Sequence, residues 1–203
     1  GERVVITSSD CYAAANNGAR IGGIALLDEF TSSTDNAAYE FSDNLAGGRA
    51  KSVADAASHE AGHNHSMRHD GTSTSGYYRG HNSWGTIMGT PYSRAVTQWS
   101  NGQYPDANNT GEDDLAAIGT RGGFRLDDHA DTAAAATPVS AGDYDGLVGE
   151  GGDIDVFRDT PPGNATRVDV STPPPGNNLI GRLTVRDVAG DVVAEVEPSV
   201  ASG

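Results

Sequence analysis

The sequence predicts an α+β protein, and three observations carry that expectation. One long helical pattern, rich in Ala and free of Pro, runs over residues 49–65. Short apolar runs of strand type precede it at residues 3–8 and 21–27. From residue 139 onward the pattern changes to short alternating runs, separated by Pro-Pro-Gly, Pro-Pro-Pro-Gly-Asn-Asn and Ala-Gly-Asp turns. The first part predicts a mixed sheet beside one long helix, and the second a small antiparallel β-sandwich that is too short to be complete.

Residues 3–8 (Arg-Val-Val-Ile-Thr-Ser) are β-branched and read as a strand, and residues 10–20 as a polar loop. Residues 21–27 form a second strand candidate, in which Gly22 and Gly23 permit close backbone approach. Gly47 and Gly48 break the chain before the helix, where Val53, Ala56 and Ala57 fall at core-type spacing. Residues 71–109 are irregular and turn-rich, with a short helix expected at 95–100. Residues 112–119 (Glu-Asp-Asp-Leu-Ala-Ala-Ile-Gly) carry acids in the first turn and Gly at the end, which predicts another helix. The expected boundaries are a first domain at 1–132, a linker at 133–140 and a β domain at 141–203. In the β domain the alternating runs are 153–157, 166–170, 179–185 and 192–196.

A chain of 203 residues can build one good core, or one domain and a smaller second one. Its formal net charge of −15 argues against nucleic acid and anionic membrane surfaces as partners. Lys51 is the lone lysine, the other basic residues being Arg; a salt-rich habitat and a GC-rich genome account for this equally well. Cys11 stands alone, so no intrachain disulfide can form. No apolar run is long enough to span a membrane. The chain opens at Gly1 without Met, as a mature or excised piece would.

Residues 59–70 read His-Glu-Ala-Gly-His-Asn-His-Ser-Met-Arg-His-Asp. His59 and His63 lie four apart, so a helix presents both on one face, where they can hold one metal ion together. Glu60 follows the first of them, placed to reach a water without displacing a ligand. His69 comes six residues after His63, reachable only if the chain turns sharply near Ser66. Three imidazoles with a fourth position open are the donor set of a catalytic zinc site rather than a structural one.

The spacing resembles the long zinc motif of the metzincin metallopeptidases, H-E-x-x-H-x-x-G-x-x-H, with the following Asp that marks the reprolysin (adamalysin-like) branch. His59, Glu60, His63, His69 and Asp70 match, whereas Ser66 stands where the family has Gly. That Gly allows a positive φ as the helix stops, a conformation that costs a non-glycine residue roughly 1–2 kcal/mol. Thr86-Ile87-Met88-Gly89 looks like the family's Met-containing turn below the metal. The family usually has more chain ahead of the zinc helix, which implies that part of its upper subdomain lies outside this sequence. The run from 153 onward resembles the pre-peptidase C-terminal domains appended to secreted peptidases.

The resemblance implies a secreted zinc endopeptidase acting on proteins or peptides. One zinc would be held by His59, His63 and His69, with Glu60 as general base toward water and then acid toward the leaving amine. Met88 would floor the site and Asp70 support the turn. Ile24, Ala25 and Leu26 would sit on the strand that rims the cleft and pairs with extended substrate, an ordinary core strand being the alternative. Tyr92 is a candidate for the substrate pocket; some relatives place a metal-touching Tyr two residues after the Met, but position 90 here is Thr. Tyr77, Tyr78, Trp84 and Tyr92 together read as pocket and core packing, His65 as packing or solvated, and His81 and His129 receive no role. Asp153 and Asp155 are candidate Ca2+ ligands, with solvated strand-edge acids as the alternative. A second reading of the whole is a non-catalytic surface or binding protein on a metzincin scaffold, and a third is a structural zinc protein.

Overall fold

β-Branched residues near the N-terminus form β1 (Arg3–Thr7), which pairs in parallel with β3 (Ala37–Phe41) in a computed structural model. β2 (Gly23–Ile24) pairs antiparallel along the other side of β3, setting Gly23 opposite Glu40 and Ile24 opposite Tyr39. The structure describes residues 1–8, 11–160, 167–171, 179 and 181–197. Side chains alternate along β3, with Ala38 and Glu40 buried on one face and Tyr39 exposed on the other. Glu40 is therefore a carboxyl at a position where an inner face ordinarily carries an apolar residue.

Helix α2 (Ala50–Asn64) packs against this sheet. Gly47 and Gly48, at φ of +65° and +81°, turn the chain into it, and His65 closes it. Of the three core-spaced positions, Ala56 is buried while Val53 and Ala57 are half-buried. The rest of its buried face is polar and includes Ser52, Asp55, His59 and Glu60. Such a face holds only when each group finds a partner. Asp55 accepts Lys51 Nζ at 2.6 Å and Thr97 Oγ1 at 3.0 Å, which joins α2 to the strand that carries Thr97.

Several expectations change. The loop at 10–20 contains a short helix, α1 (Cys11–Ala15), because three consecutive Ala favour it; Asn17 and Gly18, both at positive φ, end it. The strand at 21–27 contracts to Gly23–Ile24, since its glycines provide few side chains to pack and Leu26 and Leu27 are exposed. The helix at 95–100 is instead β5 (Val96–Gln98), parallel to β4 (Trp84–Thr86); Val96 and Thr97 are β-branched and suit a strand. The last helix, α3 (Asp114–Arg121), begins later than its acidic run because Asp113 caps it, accepting the Ala116 amide at 3.0 Å. Ala117 and Ile118 of α3 pack with Trp99 on a buried cluster of Met67, Ile87 and Met88.

The chain divides into two compact units, Gly1–Arg121 with Thr172–Gly203, and Gly122–Ser171. The second unit holds a short parallel pair, β6 (Thr137–Pro138) with β7 (Phe157–Arg158). In the first unit β8 (Leu183–Arg186) and β9 (Val192–Val196) form an antiparallel hairpin with an irregularity at Val185 and Arg186. Among the described residues of the four alternating runs, 192–196 is a strand throughout, 179–185 and 153–157 are strands only at their ends, and 167–170 is not one. Thr166 lies outside the described residues. The expected sandwich is not present among the described residues, because β9 is exposed along its whole length and has no buried face to set against a second sheet. The fold is α+β, with few helices and small sheets. Among the described residues no helix is long and apolar enough to cross a membrane.

Gly62 sets how closely α2 approaches the methionine cluster. A Cβ there would stand 2.5 Å from Met88 Sδ, 3.1 Å from Trp99 Cζ3 and 3.2 Å from Met67 Sδ. Gly62→Ala gains about 1 kcal/mol of helix propensity and loses about 1–3 kcal/mol to overpacking. Chemical denaturation should therefore find it less stable than the parent, whereas Gly111→Ala, with nothing within 4 Å of the new methyl, should lie close to it.

Candidate metal centre

His59 and His63 stand one turn apart on α2, and each has its Nδ1 occupied by a backbone carbonyl. His59 Nδ1 lies 2.8 Å from Ile87 O, and His63 Nδ1 lies 2.8 Å from Met67 O. A carbonyl only accepts, so both Nδ1 atoms carry hydrogen and both Nε2 atoms present a lone pair. The helix then stops: the Ser66 amide reaches His63 O at 2.8 Å, the Met67 amide reaches Gly62 O at 3.0 Å, and Ser66 takes a φ of +76°. Ser66 thus adopts the conformation that the glycine of the motif serves. The turn brings His69 back over the helix end, with its Nε2 3.1 Å from His63 Nε2. The ring centroids of the three His residues lie 4.8 to 5.2 Å apart.

One nitrogen from each of these residues lies within 4.8 Å of the others, so the group can hold a metal ion. Tetrahedral zinc with nitrogens at about 2.0–2.1 Å would set those nitrogens about 3.3 Å apart, close to the spacing of His63 and His69. The protonation state suits a ligand as well. Burial, outweighing the Ile87 bond, and then the charges of His63 and His69 hold His59 down at about 4. Burial and then His63 lower His69. Neutral imidazoles of this kind fit zinc and other first-row metals alike.

Glu60 follows His59 on α2 and is buried. Burial pushes its carboxyl up to about 7, against a hydrogen bond from the Ala25 backbone amide that favours the ionised form. Asp70 is buried behind the turn: it accepts the Thr86 hydroxyl and, at 3.5 Å, Asn109 Nδ2. Its own amide reaches Met88 O at 2.9 Å, so Asp70 ties the ligand loop to both ends of the methionine turn. Burial raises Asp70, while the bonds from Thr86 and Asn109 oppose the rise. Met88 is fully buried in the cluster under Gly62.

Of the residues expected at the substrate side, Ile24 ends the edge strand β2 and is exposed, as is Leu26. The Ala25 amide is engaged by Glu60. Tyr92 Oη stands 3.8 Å from the position a Cβ on Gly22 would take, and burial followed by the charge of Glu40 pushes the phenol up to about 12. Tyr77, one of the aromatics that the sequence assigns to pocket and core packing, is a neighbour of the site, and Glu40 is a neighbour that spacing does not single out. The Tyr77 ring lies 4.3 Å from His69 and 6.3 Å from His59. Glu40 shares with Glu60 the space beside Gly23, and its signal was a lone acid two residues after Ala38 in an otherwise apolar-patterned strand.

The remaining histidines lie elsewhere. His65 packs on Phe30, 4.2 Å between ring centroids, and lies 3.6 Å from Glu2. His81 Nδ1 pairs with Tyr78 Oη at 2.7 Å. His129 is held by Thr137 Oγ1 and Asp145 O. In the second unit, Asp153 gathers with Asp127 and Asp131, and Asp155 with Asp127 and Asp128. Asp153 accepts the Gly149 amide, and the three partner acids are exposed, where water satisfies carboxylates as well as calcium does.

Two measurements follow from the turn and the triad. Relieving the positive φ at Ser66 recovers roughly 1–2 kcal/mol, of which the added chain entropy of glycine takes back about 0.5–1. Ser66→Gly should therefore raise the denaturation midpoint of the metal-free chain by about 0.5–1 kcal/mol equivalent, and an unchanged or lower midpoint would count against strain at this residue. Zinc titration should saturate at one ion at the triad, with His69→Ala binding more weakly by at least the roughly 10–100-fold that loss of a ligand's supporting partner costs. No family model, curated protein or solved structure matches the chain.

Proposed function

We propose that the chain is a zinc-dependent endopeptidase of metzincin type that hydrolyses peptide bonds in proteins or peptides. The observation that carries the proposal is the convergence of one nitrogen from each of His59, His63 and His69, with the buried carboxyl group Glu60 next to His59 on a helix braced by the Ile87 carbonyl. His59, His63 and His69 would hold the metal. When bound, zinc supplies a Lewis acid that polarises the scissile carbonyl and makes water a better nucleophile near neutral pH.

The other tasks fall to the chain. Glu60 titrates near neutrality, so it can take a proton from the attacking water and return it to the leaving amine. The Ala25 amide holds the Glu60 carboxylate in place for that exchange. β2 pairs with β3 on one side only, and its other edge can accept an extended peptide as an added strand. The exposed side chains of Ile24 and Leu26 then flank the peptide. Tyr77, against His69, forms a wall of the site, and Asp70 keeps His69 and the methionine turn in register.

The test is cleavage of an unfolded protein by the zinc-loaded chain. Glu60→Gln should lower kcat by roughly 10²–10⁴-fold with zinc still bound, and a chelator should abolish cleavage reversibly. Undiminished turnover in Glu60→Gln would remove Glu60 from the chemistry. A chain that binds zinc and cleaves nothing would favour the non-catalytic binding scaffold.

A further inference from the structure

Glu40 lies at the centre of the three-stranded sheet, with none of its surface exposed. Neither carboxyl oxygen has a hydrogen-bond partner among the described residues. The group facing it from α2 is Glu60: a Cβ built on Gly23 would stand 2.6 Å from Glu40 Oε2, 2.7 Å from Glu60 Cγ and 2.9 Å from Glu60 Oε1. Gly23 lies opposite Glu40 in the strand pair, and its missing side chain is the space the two carboxyl groups share. From the segment after the methionine turn comes the neutral phenol of Tyr92. The strand neighbours of Glu40, Ile6 and Gly23, have no ionisable group.

Two ionised carboxylates cannot settle in one buried space without a counter-charge. A proton on one of them removes a charge and supplies the hydrogen that neither oxygen of Glu40 otherwise finds. Glu60 already accepts the Ala25 amide, whereas neither oxygen of Glu40 meets a donor. The proton therefore belongs on Glu40.

We propose that Glu40 is a positioning residue for Glu60: it carries a proton at neutral pH and donates it as a hydrogen bond to the Glu60 carboxyl group across the space beside Gly23, holding that group in place next to His59 on α2. The positioning role rests on the peptidase reading of Glu60, whereas the proton on Glu40 does not. Burial, and then the charge of Glu60, push the Glu40 acid up to about 9. The sign follows from linkage. A folded-state pKa raised above 4.5 favours folding fully below that pH, and the advantage is lost as pH rises toward 9.

Infrared difference spectra of the zinc-loaded chain against Glu40→Gln at neutral pH test the proton directly. The parent should show a protonated-carboxyl stretching band that Glu40→Gln lacks. The stability of Glu40→Gln relative to the parent should also rise as pH increases from 4.5 toward 9. Glu40→Leu, of similar size but without a donor, should lower kcat roughly 10–100-fold with KM and bound zinc unchanged, and Glu40→Gln, which keeps an N–H donor, should recover most of that loss. Absence of the band overturns the proposal, as does a Glu40→Leu variant that turns over like the parent. Loss of a second bound metal ion in Glu40→Gln also overturns it, because a cation would then hold the two carboxylates together. If the parent cleaves nothing, the positioning role falls with the peptidase reading, and the band and the stability profile still decide the proton.

Discussion

The hydrogen bond from His59 to the carbonyl of Ile87 holds the rest of the site in place. It fixes which ring nitrogen of His59 is free, and it presses α2 onto the methionine turn. That contact is possible only because Gly62 leaves room for the sulfur of Met88. The turn is in turn held by Asp70 through Thr86 and Met88, and Asp70 adjoins His69. The chain thus closes a circuit from helix to ligand loop to turn and back to the helix. Core and candidate site share residues here: Met67 and Ile87 belong to a buried apolar cluster with Met88, and their carbonyls accept from His63 and His59.

What could be read from sequence is what depends on local spacing. His59 and His63 follow from helical period alone, and the observed helix falls within a residue of the expected span at each end. Ser66 was readable for a related reason, since a slot that needs a positive φ announces itself as a departure when a residue other than Gly fills it. Asp70 was recognised by its adjacency to His69, although its bonds to Thr86 and Asn109 span too much chain for spacing to show.

What escaped depends on partners far away in sequence. Tyr77 reads from sequence as a pocket aromatic, but its contact with His69 in particular arises because an irregular loop folds back, and nothing periodic marks that contact. Glu40 meets Glu60 across a sheet–helix interface, through a gap created by Gly23 on a third element. Val96–Gln98 became a strand because Trp84–Thr86 lay alongside to pair with it. In the C-terminal part, alternation marked the hairpin strand Val192–Val196 but overstated the sheet around it, since alternation signals a sandwich only when a second layer covers one face.

The positive φ of Ser66 also bears on how the site would come apart. With a metal ion on the triad, the strained residue between His63 and His69 would work as a latch under tension, closed while the ion draws the two rings together. Losing that ion and peeling the segment after α2 away from the helix would then be a single motion. The empty protein would fray at this point first, so proteolytic nicking near residues 66–69 would report the loss of the ion before any other part of the fold loosened.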